Sequence, residues 1–505
     1  MSIDLSLDRI QILFTHLPRY DRPTCHIAGT NGKGSVSALL TSIFRSSTPP
    51  YRVGRYNSPH LVSIYDCITI DDVPVSQEVY KDARARVEKA NGDHAIGATS
   101  FEVLTLTALQ IFQDLQVDIA VVEVGMGGRL DATNVIPDDC ILVSALTAVD
   151  LDHQAFLGNT VTEITREKAG IARAGKPLIL ALQPHSSVNL VVQEACDQAG
   201  AELVQAIVPS IRPWDDNVDG VRKLEVKLTP EHFIPPTPQP IQISLRCFSV
   251  PLQASLPLQG EHQLDNLGTA LSMVSTLLTD PANSTLALNL RSRITQRTVQ
   301  EGIRSTVWNG RLSFHRLSAS PGSSRSEQGR EDLLVLADGA HNPASSATLA
   351  SYVAKVFAQT QGPRSDRAPR TITLSYMLAL SHSPPKTPLQ TLSPLLPPTI
   401  PVHEDVTVKI NVALLRFTPP EGMPWVKSVP PSELRDVVAA RCPGAQIWSA
   451  ADDAALDGQL AQALEWIKKQ HAGADGAVGE GVVVVAGSLY LVADFYRLLP
   501  SVAYD

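Results

Sequence analysis

Along the chain, unbroken apolar runs alternate with stretches whose apolar residues recur at helical spacing. The runs Cys25–Ala28, Ile119–Val124, Ile141–Leu146 and Pro177–Ala181 are bounded by turn residues, as suits strands covered on both faces. Between them, segments such as Phe101–Leu115 place their apolar residues on one helical face. This alternation predicts βαβ units and a parallel sheet. After Val208 the texture changes: Pro209, Pro213, Pro230, Pro235, Pro236, Pro238, Pro240, Pro251 and Pro257 interrupt short alternating runs, Lys223–Leu228 and Ile241–Cys247. These predict an antiparallel flap or edge on the first domain. Arg291–Arg304 reads as a helix leading to a hinge.

A second α/β region begins near Val307, with strands expected at Leu333–Ala337, Thr371–Leu374, Val406–Leu414 and Val482–Ala486 and helices at Ser345–Phe357 and Asp453–Lys468. Ser318–Glu331 and Gln361–Arg370 read as loop insertions, and Ser381–Glu404 is too rich in proline for a regular central strand. The expected organisation is two α/β domains, residues 1–304 and 305–505, each with its own parallel sheet.

The sharpest local signal is Cys25-His26-Ile27-Ala28-Gly29-Thr30-Asn31-Gly32-Lys33-Gly34-Ser35-Val36, an apolar strand running into a glycine-rich turn with one lysine. Val36, Leu39, Leu40 and Ile43 then open a helix. Backbone N–H groups in such a turn, the helix dipole and the charge of Lys33 together favour an anion such as a nucleotide phosphate. The spacing departs from G-x-x-x-x-G-K-[ST], because Gly34 separates Lys33 from Ser35 and only two residues separate Gly29 from Gly32. A plain turn is the competing reading.

Composition narrows the partners. A formal charge of -9, with acids and bases interspersed, argues against a nucleic-acid binder. Six scattered cysteines without a C-x-x-C pair suggest neither a zinc knuckle nor a disulfide framework, and fit a reducing compartment. No apolar run reaches the roughly 18 residues of a membrane span. The N-terminal stretch lacks a secretion signal and carries two early acids, so the cytosol is the expected location, with the mitochondrion left open.

Glu123 lies late in an apolar run, where a carboxylate needs an arginine or a metal ion, magnesium being the natural one. At a parallel-strand end it would face the same edge as the phosphate turn. Further polar groups follow: Asp150-Leu151-Asp152-His153, Glu167-Lys168-Ala169-Gly170-Ile171, Asn266 within Gln259–Asn266, Gly310-Arg311, and Asp338-Gly339-Ala340-His341-Asn342. Arg311 could hold phosphate bidentately and Asp338 could accept from ribose hydroxyls. Taken singly, each of these is as well explained by turn or cap chemistry.

Together with Ser58-Pro59-His60-Leu61, Phe101-Glu102 and Glu123 through Asn134, these strings occur in an order that resembles the folylpolyglutamate synthase/dihydrofolate synthase family of the Mur ligase superfamily. The resemblance runs from about residue 5 to Gly487-Ser488-Leu489-Tyr490. Asn31, Ser58–Leu61, Arg416-Phe417 and Glu421-Gly422-Met423-Pro424-Trp425 are most similar to the fungal monofunctional dihydrofolate synthases.

The resemblance implies a Mur-ligase-like fold, with an N-terminal P-loop ATPase-type domain and a smaller C-terminal Rossmann-like domain. It implies ATP held by Thr30, Asn31, Gly32, Lys33, Gly34 and Ser35, with Asn266, Arg311 and Asp338 at the adenine, phosphates and ribose. It implies two Mg2+ ions, Mn2+ being an alternative, at Ser58, Glu123 and His153, and a carbamylated Lys168. Lys33, Glu123, His153, Lys168 and Arg311 would form the catalytic set. A pterin would meet Thr99, Ser100, Phe101, Glu102, Leu130, Asp131 and Ala132, and His341 and Ser488 would serve glutamate. Asn57 and Asp265 depart from the family pattern without touching an expected key atom. The implied reaction joins L-glutamate to 7,8-dihydropteroate through an acyl phosphate, in a monomer. The alternative is a folylpolyglutamate synthase acting on a folate γ-carboxylate. A muramyl-peptide ligase lacks room for its sugar-binding domain before Cys25, and no guanine-reading element supports a GTPase switch.

Overall fold

The computed structural model describes residues 6–221, 226–281, 288–317, 332–360, 370–401, 403–421, 423, 426–473 and 478–499. Ser318–Glu331, residues 361–369 of the expected insertion Gln361–Arg370, residues 223–225 of the expected strand Lys223–Leu228, and Gly422, Pro424 and Trp425 lie outside them. Two compact units are formed, Met1–Gly220 with Pro238–Trp308, and Val221–Thr237 with Asn309–Asp505.

The first unit is built on an eight-stranded sheet: β1 (Thr24–Ala28), β2 (Val53–Tyr56), β3 (Ile68–Ile70), β4 (Val73–Pro74), β5 (Ile119–Glu123), β6 (Ile141–Leu146), β7 (Pro177–Leu180) and β8 (Glu202–Gln205). Their order is β4-β3-β2-β5-β1-β6-β7-β8. From β2 to β8 neighbouring strands are parallel, while β3 and β4 close one edge antiparallel. The pleat sorts the apolar run of β5 onto two cores. Ile119 and Val121 join one with the helices Lys33–Arg45, His262–Thr279 and Gln296–Arg304, and Ala120 and Val122 join the other with Gln77–Asp93 and Ser100–Asp114. Because β2, β5, β1 and β6 are parallel, the loops that follow them emerge at one edge, where open α/β sheets bind ligands.

Three short antiparallel strands follow: β9 (Ser210–Ile211), β10 (Gln239–Ile243) and β11 (Leu252–Leu256). The expected flap is therefore present, but its intervening stretch is not part of it. Residues 221–237 group with the second unit, where Leu228 and Phe233 pack into that unit's core and Lys227 pairs with Ile234. The expected helix Arg291–Arg304 is two helices, Leu290–Arg293 and Gln296–Arg304. Ile294 is extended, and Thr295 restarts the helix by accepting from the Thr298 amide.

The second unit has six strands, β12 (Ser313–Leu317), β13 (Leu333–Ala337), β14 (Arg370–Leu378), β15 (Val406–Leu414), β16 (Gln446–Ser449) and β17 (Gly481–Ala486). They are ordered β12-β13-β17-β14-β15-β16, parallel except for the edge strand β12. The proline-rich Ser381–Glu404 contains no strand among its described residues. It holds a short helix, Pro388–Leu392, and anchors itself with buried Leu392, Leu395 and Leu396. Among the described residues, no helix is long and apolar enough to cross a membrane.

Candidate functional site

In the first unit the chain leaves β1 through Gly29, which stands at φ 144, and Gly32 caps the next helix at φ 98. A Cβ on Gly29 would lie 1.8 Å from Thr147 Oγ1 and one on Gly32 would lie 2.2 Å from Asn266 Oδ1, so neither position accepts a side chain. The Thr30 and Asn31 amides donate to Ala148 O at 2.9 and 3.2 Å. That leaves the amides of Lys33 to Ser35, which have no carbonyl one turn earlier in the helix, as the anion donors of the turn.

Lys33 Nζ folds over the turn, donating to Gly29 O at 3.2 Å and Thr30 O at 3.4 Å, and lies 3.7 Å from Glu123 Oε1. Lys33 is thus one cation beside Glu123, and the Arg55 guanidinium interacts electrostatically with the same carboxylate. Asn57, at the end of the neighbouring β2, donates to Glu123 Oε2 at 2.5 Å and to Ser37 Oγ at 2.7 Å. The expectation that Asn57 touches no key atom is therefore corrected: it holds the buried carboxylate. Ser58 follows it, half-buried.

Lys168, on the helix Val161–Ala169, donates to Gly29 O at 2.8 Å. Burial, with Lys33 close by, pushes its ammonium down to about 7. From the helix His262–Thr279, Gln263 donates to Ser35 Oγ at 3.2 Å and accepts from Asn266 Nδ2 at 2.9 Å, bringing Asn266 to Gly32. Sequence reasoning gave Gln263 no role, although it stood three residues before Asn266 on a helical face. His153 sits on an exposed loop after β6 at φ 51. Among the described residues no three His, Cys, Asp or Glu side chains gather as a metal-holding group.

The expected pterin residues divide in two. Thr99 and Glu102 form a capping box at the start of Ser100–Asp114, Glu102 accepting from the Thr99 amide at 2.6 Å and from Arg9 Nε at 3.3 Å. Those two are committed to the helix start, and Ser100 is exposed. Phe101, from the helix Ser100–Asp114, meets the loop after β5 that carries Asp131. The Phe101 ring lies against Gly125, where a Cβ would be 2.2 Å from Cζ, and Asp131 Oδ2 accepts from the Met126 amide at 2.8 Å. Asp131 Oδ1 accepts from the Thr133 amide at 3.0 Å and its hydroxyl at 2.6 Å. Burial raises the Asp131 carboxyl above the usual range. Leu130 is half-buried and Ala132 buried beside it in sequence.

In the second unit the corresponding residues sit after β13 and β17. Asp338 accepts from the Leu312 amide at 2.9 Å and the Ala340 amide at 2.8 Å, and burial raises its carboxyl despite nearby Arg311. Arg311 Nη1 donates to Gly310 O at 2.9 Å. His341 Nδ1 donates to Gly339 O at 2.8 Å, and Lys386 Nζ donates to His341 O at 2.9 Å. Ser488 caps the helix Leu489–Tyr496 by accepting from the Tyr490 amide at 3.2 Å. The Gly487 amide donates to Ala340 O at 2.8 Å, so the 338–341 and 487–488 loops adjoin.

A glycine turn at the C-terminal edge of a parallel sheet, held by Lys33 and Lys168 and faced by a buried carboxylate, is the arrangement of an α/β protein whose sheet edge suits a phosphate. A sequence profile described as "Dihydrofolate synthetase, C-terminal domain" matches residues 323–498. The chain is 32% identical over 502 residues to a Saccharomyces cerevisiae protein named dihydrofolate synthetase, covering 99% of this chain and 98% of the relative. It is 30% identical to a probable dihydrofolate synthetase of Schizosaccharomyces pombe, covering 99% of each. The solved Mycobacterium tuberculosis folylpolyglutamate synthase complexed with ADP superposes with a TM-score of 0.69 at 25% identity, covering 98% of this chain and 95% of that one. The chain belongs to the dihydrofolate synthetase/folylpolyglutamate synthase family, and its fold is the expected Mur-ligase-like one.

Proposed function

We propose that the protein is a dihydrofolate synthase, joining the benzoate carboxylate of 7,8-dihydropteroate to the α-amino group of L-glutamate while ATP is split to ADP and phosphate. The observation that carries this reading is Lys33, closed on the carbonyls of the glycine turn and 3.7 Å from Glu123. It makes a preformed cationic seat for phosphate in a chain whose full-length relative is named dihydrofolate synthetase. The first unit carries the phosphate turn, Asn266 and the pterin residues, and the second carries Arg311, Asp338 and the residues of the glutamate side.

A carboxylate is a poor acyl donor because oxide would have to leave. Its oxygen therefore attacks the γ-phosphorus, the bond to the bridging oxygen of ADP breaks, and the product is an acyl phosphate. The glutamate amine, having shed a proton, attacks the acyl carbon. Phosphate departs with the former carboxylate oxygen as the amide forms and the nitrogen loses its second proton. Phosphoryl transfer asks the protein for positioning and charge neutralisation. Lys33 and the amides of Lys33 to Ser35 hold phosphate, Arg311 adds a planar cation, Asn266 fixes the turn and adenine side, and Asp338 takes ribose hydroxyls.

Glu123 and Ser58 would suit a hard divalent cation because both offer oxygen, with Lys33 as the carboxylate's cationic neighbour. Magnesium held there, with a second ion at His153, would neutralise phosphate charge. Lys168, with its ammonium pushed down to about 7, is partly neutral at physiological pH, as carbamate formation with carbon dioxide requires. Phe101 and Asp131 receive the pterin, and His341 and Ser488 the glutamate.

The second reading, a folylpolyglutamate synthase, is favoured by the solved neighbour of that name. ADP release by purified protein with ATP, magnesium and glutamate separates the two. Dihydropteroate is expected to stimulate it well above tetrahydrofolate. The reverse order supports the second reading, and no stimulation by either overturns both. The cytosol is the proposed location.

A further inference from the structure

His26 lies in the middle of β1, completely buried, and its Nε2 is 2.8 Å from Thr133 Oγ1. The Thr133 hydroxyl in turn lies 2.6 Å from Asp131 Oδ1. A hydroxyl has a single proton, and an ionised carboxylate can only accept, so Thr133 donates to Asp131 and must accept from His26. That fixes the imidazole as the Nε2–H tautomer and leaves Nδ1 buried with no hydrogen-bond partner among the described residues. Burial, with Arg173 nearby, pushes His26 down to about 3, so the ring is neutral and serves as a single directed donor. An aliphatic residue would satisfy a strand covered on both faces without stranding a polar atom. A histidine here makes sense for what its other nitrogen does.

We propose that His26 is a positioning residue for the pterin, holding Asp131 in place through the Thr133 hydroxyl. The Asp131 carboxylate ties two pieces of backbone, the Met126 amide after β5 and the Thr133 amide at the start of the 3-10 turn Ala132–Val135, and Phe101 packs on Gly125 beside it. Rotating Thr133 to another rotamer would leave Oδ1 held by the Thr133 amide alone, so that the carboxylate could tilt about its amide anchors. The bond from the rigid central strand prevents that rotation. The signal in the sequence was weak: a histidine inside an apolar run, read there only as part of the strand.

This inference rests on the pterin reading of Asp131, and the test separates the two. Steady-state ADP release is measured on the full chain, with dihydropteroate, ATP and glutamate each varied in turn. If the unaltered protein shows no release dependent on both dihydropteroate and glutamate, the reaction itself is overturned, and the positioning role with it. If it does, His26→Leu is expected to raise the KM for dihydropteroate about tenfold, with kcat and the KM for ATP within about twofold. Thr133→Val should do the same, and the double variant should add little, since both changes cut one chain. His26→Gln, whose amide presents N–H near the Nε2 position, should restore the KM. Should His26→Leu fail to fold, Thr133→Val and His26→Gln carry the test. The role is overturned if the folded variants keep the unaltered KM for dihydropteroate, if kcat and the KM for ATP change as much as that KM does, or if His26→Gln is impaired while Thr133→Val is not.

Discussion

At the sheet edge of the first unit, Lys33 and Lys168 hold the turn's carbonyls, and most other polar side chains there meet one another: Lys33 beside Glu123, Asn57 with Glu123 and Ser37, Gln263 with Ser35 and Asn266. At the edge of the second unit they bond to the backbone that carries them: Asp338 to two amides, His341 to Gly339 O, Ser488 to the Tyr490 amide. The first arrangement is a charge network poised for a ligand and can be cut without unmaking the fold. The second serves the loop conformation and any ligand together, so cutting it should cost stability as well.

The largest expected effect is therefore that of Lys33→Ala. It removes the cation 3.7 Å from Glu123 and should lower kcat/KM about a thousandfold. Leaving the buried carboxylate without that cation should lower the thermal midpoint, yet protein still folded at the assay temperature should stay inactive; activity that merely tracks the folded fraction would erase the distinction between the two edges. Next comes Lys168. Burial lowers its pKa from the ordinary 10.5 to about 7. Between those values the unfolded chain keeps the proton and the folded protein does not, so folding stability rises with pH across that window and the cost is fullest below pH 7. Lys168→Met should be more stable than the unaltered protein near neutral pH by up to roughly 4 kcal/mol, with the gap closing as pH approaches 10. Denaturant unfolding at several pH values checks this, and a constant gap would show that the amine is not desolvated.

Asp338→Ala provides the contrast from the second unit. Two backbone amides lose a charged acceptor, so about 2 kcal/mol of stability should go with the activity, read by denaturant unfolding beside ADP release. Loss of activity alone would place Asp338 with the residues of the first edge. The smallest effect is expected for Asn57→Ser, which removes one hydrogen bond to Glu123 and should lower kcat/KM about tenfold without unfolding the protein.

The same contrast explains what could be read from the residues alone. Apolar runs such as Ile141–Leu146 and Leu333–Ala337 mark strands at their observed bounds, because burial on both faces leaves little room for other residues. The glycine turn is equally legible, since Gly29 and Gly32 occupy backbone geometry and space that exclude side chains. The edge of the second unit is not, because Ser488 looks like the helix cap it also is and Asp338 like the loop acceptor it also is, and only their resemblance to a family singled them out. The break at Ile294 was hidden for a different reason. Thr295 is a reasonable helix residue, and its capping role depends on the Thr298 amide three residues on. Asn57 escaped because its partner Glu123 is distant in sequence and adjacent only through the β2–β5 pairing.

The most direct test of the proposed reaction follows an oxygen atom. Dihydropteroate labelled with oxygen-18 in its carboxylate is incubated with ATP, magnesium and glutamate, and the released phosphate is analysed by mass spectrometry. Activation through an acyl phosphate predicts that each turnover transfers a labelled oxygen into phosphate. Unlabelled phosphate formed alongside dihydrofolate would contradict it.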